Sequence, residues 1–268
     1  MSNYLFVADL VDKLINAQNR NQIPINVLDL GCGDCQLLSE LRARHAPEQF
    51  TLYGVDIYTD KERFQRVRSQ NKSISIFDIM PYDDLSNLGV SFDAIVCNQV
   101  LEHVDDAKRL IDIASSKIKN NGFFIAGYPT SEIIIEPHLF IPLVHRFSGR
   151  LPRTIAIHIK FAMAKTFNLG RTSRLKLSER ESYIKNRLTY MKEDLFYRSK
   201  RDYDSILRSI GSPTDVSYSY IDSSRSSRAM NIIKSTLSLI PSKRLKNKIS
   251  HSIFGVYTVT QKSSRTHS

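Results

Sequence analysis

The run Val27-Leu28-Asp29-Leu30-Gly31-Cys32-Gly33-Asp34-Cys35 constrains this 268-residue chain more than any other stretch of it. The apolar residues of Ile25–Leu30 read as a buried strand. Two glycines one residue apart then let the backbone turn sharply and come close to a ligand. From Gln36 to Ala43 the spacing of Leu37, Leu38 and Leu41 predicts a helix. The unit is therefore strand, tight turn, helix.

The unit repeats. Strands are predicted over Phe50–Val55, ending at Asp56, and over Ser73–Phe77, ending at Asp78. Two more follow at Phe92–Cys97 and at Gly122–Gly127, the latter entered through an Asn120-Asn121-Gly122 turn. Helices are predicted over Leu5–Asn16 and Ala107–Ile118. Strands alternating with helices give a doubly wound α/β sheet, which binds ligands at the carboxyl ends of its strands. Those ends carry Asp29 with Gly31, then Asp56, Asp78, and Cys97-Asn98-Gln99. After Thr130 the alternation stops. The stretch to residue 200 reads as a basic, partly helical insertion over the site. Residues 201–268 then complete the same domain with a helix over Asp202–Ile210, strands at Val216–Ile221 and Val256–Thr260, and a basic amphipathic segment between them. The expected division is 1–130 for the cofactor, 131–200 for the insertion and 201–268 for the closing strands.

The ligand follows from what the turn lacks. A dinucleotide site continues as G-x-G-x-x-G, and the third glycine would fall where Gln36 stands. Nor does the chain carry the Tyr-x-x-x-Lys of one large oxidoreductase class. A ligand without phosphate imposes no third glycine, and S-adenosyl-L-methionine is such a ligand. Asp56 at the second strand end, with Ile57 beside it, suits the ribose hydroxyls. Asp78 suits the adenine amine, with Ile79 packing on the ring, and Asp29 suits the cationic aminoacyl end. Singly, Asp56 and Asp78 are just as well helix N-caps and the glycines an ordinary turn. At successive strand ends and in this spacing, the cofactor reading wins.

At this point the sequence resembles the class I S-adenosylmethionine-dependent methyltransferases. Asp29-Leu30-Gly31-Cys32-Gly33 is similar to their first motif, Val55-Asp56 to their second-strand acid, and Phe77-Asp78-Ile79 with Pro81 to their adenine motif. Phe92-Asp93-Ala94-Ile95-Val96 with Leu101-Glu102-His103-Val104 resembles the fourth-strand motif, and Lys119-Asn120-Asn121-Gly122 the turn into strand five. Cys35 stands where many members have a third glycine. The resemblance spans residues 25–130. It implies a seven-stranded, mostly parallel Rossmann-like sheet with a helical insertion after strand five. It also implies a site in which Gly31, Cys32 and Gly33 hold the cofactor and Asn98 and Gln99 line it near the methyl group.

On the acceptor side, Glu136-Pro137-His138 with Pro142 and His145 is similar to a segment of bacterial members acting on quinone precursors, sugars or lipid-linked glycans. His138 is the first candidate for the base that takes a proton from an acceptor hydroxyl, and His103 the second. For each, a hydrogen bond to a loop backbone is the bland alternative. Tyr128 reads equally as a core tyrosine or a contact to the methionine end.

Charge is unevenly placed. Residues 1–130 carry 13 Lys and Arg against 17 Asp and Glu, whereas residues 131–268 carry 25 against 10. The basic half fits an anionic acceptor, peripheral contact with a membrane surface, or a solvated surface of no specific use. Nucleic acid is the weaker reading, because aromatics are not interleaved with the basic runs. Cys32 and Cys35 form a C-x-x-C pair, but no second pair completes a zinc site, and no metal is expected. Met1 to Ala8 does not read as a secretory signal, and the cytoplasm, or the inner face of the membrane, is the expected location. The expected reaction is methyl transfer to an oxygen of a small-molecule or lipid-linked acceptor. An RNA methyltransferase and a non-catalytic S-adenosylmethionine-binding protein are the alternatives.

Overall fold

Strand β1 (Ile25–Leu30) lies inside a seven-stranded sheet because four of its six residues are apolar and both its faces are covered. A computed structural model describes residues 3–18, 24–57, 60–78, 82–136, 141–146, 152–159, 177–223 and 228–263. β1 pairs in parallel with β2 (Phe50–Asp56) on one side and β4 (Phe92–Asn98) on the other. β3 (Ser75–Asp78) lies outside β2, and β5 (Ile118–Tyr128) outside β4. β9 (Val256–Gln261) enters antiparallel between β5 and the edge strand β8 (Pro213–Asp215), giving the order β3-β2-β1-β4-β5-β9-β8.

Successive strand residues face opposite sides, so each strand supplies two cores. Val27, Ala94, Val96 and Ile125 pack with Phe6, Val7, Val11 and Ile15 of α1 (Asn3–Ala17) and with Leu38 and Leu41 of α2 (Gln36–Arg44). Leu28, Ile95, Cys97 and Phe124 pack on the other face with Leu110, Ile111 and Ala114 of α4 (Ala107–Lys117) and with Tyr203 and Leu207 of α7 (Lys200–Leu207). α3 (Lys61–Gln70) joins β2 to β3, capped by Asp60, whose carboxylate accepts from the N–H groups of Glu62 and Arg63.

Three expectations about elements are corrected. β5 begins at Ile118, so Asn120-Asn121-Gly122 lies inside the strand as an irregularity: the register jumps from Phe92↔Ile118 to Ala94↔Phe123, with Asn121 at φ 61°. Val216–Ile221 is not a strand. Asp215 Oδ1 accepts from the Ser217 N–H at 3.0 Å and hydroxyl at 2.8 Å, which starts helix α8 (Ser217–Ser223). Ser217 and Ile221, four residues apart, are then buried together, and that helical pair outweighs the alternation read from sequence. The basic C-terminal segment is two helices, α9 (Arg228–Ser238) and α10 (Lys243–Phe254). They are separated at Pro241, and Ser242 caps the second.

The insertion has a small core of its own. A hairpin of β6 (Ile135–Glu136) and β7 (Ile141–Pro142), a short helix α5 over 152–159, and α6 (Leu177–Glu193) contribute Ile141, Val144, Ile157, Ile184 and Met191 to it. It is tied to the segment after β4 and to α10 through backbone bonds from Phe196 N–H to Glu102 O at 2.7 Å and from Ile134 N–H to Ser252 O at 2.8 Å.

Candidate active site

The glycine turn is fastened to β2 at its base. Gly31 and Cys32 both donate to the carbonyl of Val55, at 2.7 and 3.0 Å. Gly31 adopts φ 83°, and a Cβ there would collide with Cγ2 of Val100, so glycine is required on two counts. Gly33, at φ 53°, donates to Asp56 Oδ2 at 2.5 Å, and Asp56 Oδ1 accepts from the Ile57 N–H at 2.7 Å. Burial raises the Asp56 carboxyl, opposed by those two N–H groups and by Arg63. Arg63 itself pairs with Asp34 at 3.1 Å. Cys35 closes the turn at φ 59° as the N-cap of α2, its sulfur 3.6 Å from that of Cys32. Neither cysteine is in a disulfide, and both are buried. Among the described residues, no group of three His, Cys, Asp or Glu is placed to hold a metal ion.

Above the turn is a cavity of about 280 Å³ lined by Asn3, Tyr4, Asp29, Gly31, Cys32, Asp34, Gln36, Leu37 and Asn98. Asp29 is 5% exposed, and burial, then the Asp56 charge, pushes its carboxyl up to about 7. The Asn98 Oδ1 is buried with no hydrogen-bond partner among the described residues. A Cβ on Gly127, across the β4–β5 pair, would strike it. Gln99 stands at φ 60°, unusual for a residue with a side chain, and donates its N–H to Gly127 O at 2.6 Å. A buried acid and an unsatisfied amide oxygen facing a glycine turn fit the cationic aminoacyl end of S-adenosylmethionine.

Of the residues expected from sequence, Asp29, Gly31, Cys32 and Asn98 thus share one cavity. Gly33, Asp56 and Ile57 are bonded to its floor, and Gln99 follows Asn98. Asp78 ends β3 in register with Asp56. Ile79 and His138 lie outside the described residues. Tyr128 is a core residue, its ring 4.2 Å from that of Tyr203.

His103 lies just past β4, with Nδ1 2.8 Å from the carbonyl of Asp194 and Nε2 3.9 Å from Glu102 Oε1. Glu102 is fully buried, and neither carboxyl oxygen has a hydrogen-bond partner among the described residues. Burial, and less so the charge of Glu136, pushes it up to about 8. Glu136, also fully buried, accepts from the Tyr197 hydroxyl at 2.5 Å. His145 bonds the Ser131 carbonyl at 3.2 Å, and burial lowers its pKa. The burial of Glu102 was not readable from its motif, because the Phe196 backbone meets it from far along the chain. Asn3 and Tyr4 were missed for the same reason: only packing brings the start of α1 over the turn.

Sequence and structure comparisons agree with this geometry. The family described as "methyltransferase domain" matches residues 3–168. A ubiquinone biosynthesis O-methyltransferase of Xanthomonas campestris pv. campestris is 33% identical over 98 residues, 36% of this chain and 39% of that one. The chain therefore spans about two fifths of the length of the curated relatives it matches. Among solved structures, the plantazolicin methyltransferase BpumL, determined with a triazolic desmethylPZN analog and SAH, aligns with TM-score 0.55 at 13% identity over 97% of this chain and 85% of that one. BamL, a second plantazolicin methyltransferase, aligns with TM-score 0.56 at 11% identity over the same shares. These two show the fold. The chain belongs to the methyltransferase domain family, and the class I S-adenosylmethionine-dependent methyltransferase resemblance carried by its motifs is borne out.

Proposed function

We propose that this chain moves a methyl group from S-adenosylmethionine to an oxygen of a small-molecule or lipid-linked acceptor of the quinone or glycan type. The observation that carries the reading is the cavity where Asp29, the glycine turn and the unpartnered Asn98 oxygen converge. When bound, S-adenosylmethionine supplies an electrophilic methyl group whose departure from sulfur needs no proton. Asp29 holds the aminoacyl cation, because a carboxyl raised by burial gains most from one. Asp56 accepts from the ribose hydroxyls, with Ile57 beside it, and Asp78 and Ile79 serve the adenine. Asn98 and Gln99 line the methyl end. Orientation of the acceptor supplies most of the rate, since a well-aligned pair reacts as if at roughly 10⁵–10⁸ M.

His103 can serve as the base for the acceptor hydroxyl: with Nδ1–H on the Asp194 carbonyl, the neutral ring keeps its lone pair at Nε2. One released proton needs one base: His138, in the segment after β6, is the first candidate and His103 the second. The name of the Xanthomonas relative supports an oxygen acceptor, and the SAH in the BpumL structure supports the methyl donor. Peripheral contact with the inner face of the membrane belongs to the same reading. It is supported by Leu239, 83% exposed, and Leu245, 46% exposed, beside the cations of α10. No helix among the described residues is long and apolar enough to cross a membrane.

Calorimetric titration with S-adenosylhomocysteine, with NAD as control, tests the cofactor assignment. Micromolar binding of the first alone is expected. Binding of NAD would overturn it.

A further inference from the structure

A second cavity, of about 620 Å³, opens on the same rim of the sheet, beyond the carboxyl ends of β5 and β8. Thr130, just past β5, lines it. That residue is completely buried, and its hydroxyl has no hydrogen-bond partner among the described residues. A buried polar group left so is uncommon and calls for a ligand or water to complete it.

The charges around it are unequal in their commitments. Asp215 Oδ2 is 2.7 Å from His251 Nε2 and 3.9 Å from Lys200 Nζ. Glu132 accepts from the backbone N–H of Lys200 at 3.3 Å. Asp215 is thus engaged by side-chain cations, while Glu132 holds a backbone N–H and leaves one negative charge in the lining. Lys243, Arg244 and Lys248 of α10 line it too, and none has an acidic partner among the described residues. Arg244 and Lys248 are four residues apart and share one face of the helix.

We propose that this cavity takes a phosphate or pyrophosphate group carried by the acceptor. The assignment to the acceptor rests on the methyl-transfer reading; the anion site itself does not. Three cations around an unsatisfied hydroxyl suit a multiply charged oxyanion with acceptors in several directions, and the guanidinium fork of Arg244 matches two phosphate oxygens at once. A single carboxylate would leave most of that charge uncompensated. The distance fits a small molecule. Thr130 is three residues beyond Gly127, which lies opposite Asn98, so the two levels are separated by at most roughly 10 Å of chain. Leu239 and Leu245, exposed beside these cations, leave room for the phosphate to arrive on a lipid as well as on a soluble ester.

The test is calorimetric titration of the full chain with inorganic pyrophosphate, with S-adenosylhomocysteine titrated into the same preparation. One pyrophosphate per chain is expected. Its affinity should fall at least tenfold in the double variant Arg244→Gln/Lys248→Gln and at least threefold in Thr130→Val, while S-adenosylhomocysteine binding in each variant stays within twofold of the parent. Absent pyrophosphate binding, or binding that the double variant leaves unchanged, overturns the site. Loss of S-adenosylhomocysteine binding by the parent, with pyrophosphate binding intact, would overturn the cofactor reading and leave the anion site standing. Given binding, cosedimentation with phosphatidylglycerol vesicles that the double variant abolishes puts the phosphate on a lipid. Its absence puts the phosphate on a soluble ester.

Discussion

Asp56 Oδ2 accepts a 2.5 Å hydrogen bond from the backbone of Gly33, so the acid at the end of β2 holds the turn at the end of β1. The same carboxylate is the group assigned to the ribose. Asp56→Ala should therefore weaken S-adenosylhomocysteine binding by roughly tenfold or more, the scale of one charged hydrogen bond at ~1.5–3 kcal/mol. It should also lower the melting temperature without ligand. A variant with normal stability and lost affinity would limit Asp56 to ligand contact.

The Asp29 carboxyl, raised to about 7, titrates inside the working range. A ligand ammonium favours its ionised form, so affinity for S-adenosylhomocysteine is full above that pH and lost as pH falls through it. A drop of up to about tenfold between pH 8 and pH 6 is expected. Asp29→Asn should bind weakly and nearly independently of pH, as titration across that range will reveal.

Glu102 changes stability with the opposite sign. Its folded carboxyl is raised to about 8, so the folded chain keeps a proton that the unfolded chain releases near its ordinary range. The stabilisation is full below the unfolded value and is lost as pH rises through the folded one. Glu102→Gln, neutral at every pH, should melt close to the parent at pH 5 and about 3 °C or more above it at pH 9. Parallel melting curves at the two pH values would refute a buried protonated acid.

The two histidines separate by kinetics. Removal of a general base slows turnover by roughly 100- to 10,000-fold and leaves cofactor affinity nearly unchanged. His103→Ala and His138→Ala, assayed for methyl transfer and for S-adenosylhomocysteine binding, should show that split in one of them. Equal loss of both properties in a variant would mark that histidine as structural, a role the Asp194 bond would explain for His103.

Gly127→Ala probes the Asn98 oxygen from behind. The new Cβ would strike that oxygen and come within 2.6 Å of Tyr257 Cε1. Overpacking of this kind costs about 1–3 kcal/mol. A lower melting temperature is expected, together with weaker S-adenosylhomocysteine binding. Unchanged affinity would detach Asn98 from the cofactor site.

What could be read from sequence follows the physics of burial. β1, β2 and β4 are covered on both faces, so their apolar runs stand out without any partner being known. The glycines at 31 and 33 announce their turn because few other residues adopt those backbone angles. Val216–Ile221 misled because alternating apolar and small polar residues also fit a short helix buried at two positions, and the decisive Asp215 cap is a local detail. The basic segment reads as one amphipathic stretch, whereas Pro241 divides it into two helices. The lining by Asn3 and Tyr4, the backbone bond between Glu102 and Phe196, and the meeting of Thr130 with α10 join residues about a hundred positions apart or sit at chain crossings. No periodicity encodes such meetings.

The antiparallel insertion of β9 between β5 and β8 bears on how the chain is made. Residues 256–261 follow every other strand of this sheet in chain order, yet among the described residues β8 has no other neighbour in the sheet. Until that strand has left the ribosome, β5 presents an unpaired edge and β8 has nothing to pair with. Completion of this sheet is then a long-range strand capture, which is slow and exposed to aggregation. A nascent chain stalled before residue 256 would hold its glycine turn on a sheet that cannot close.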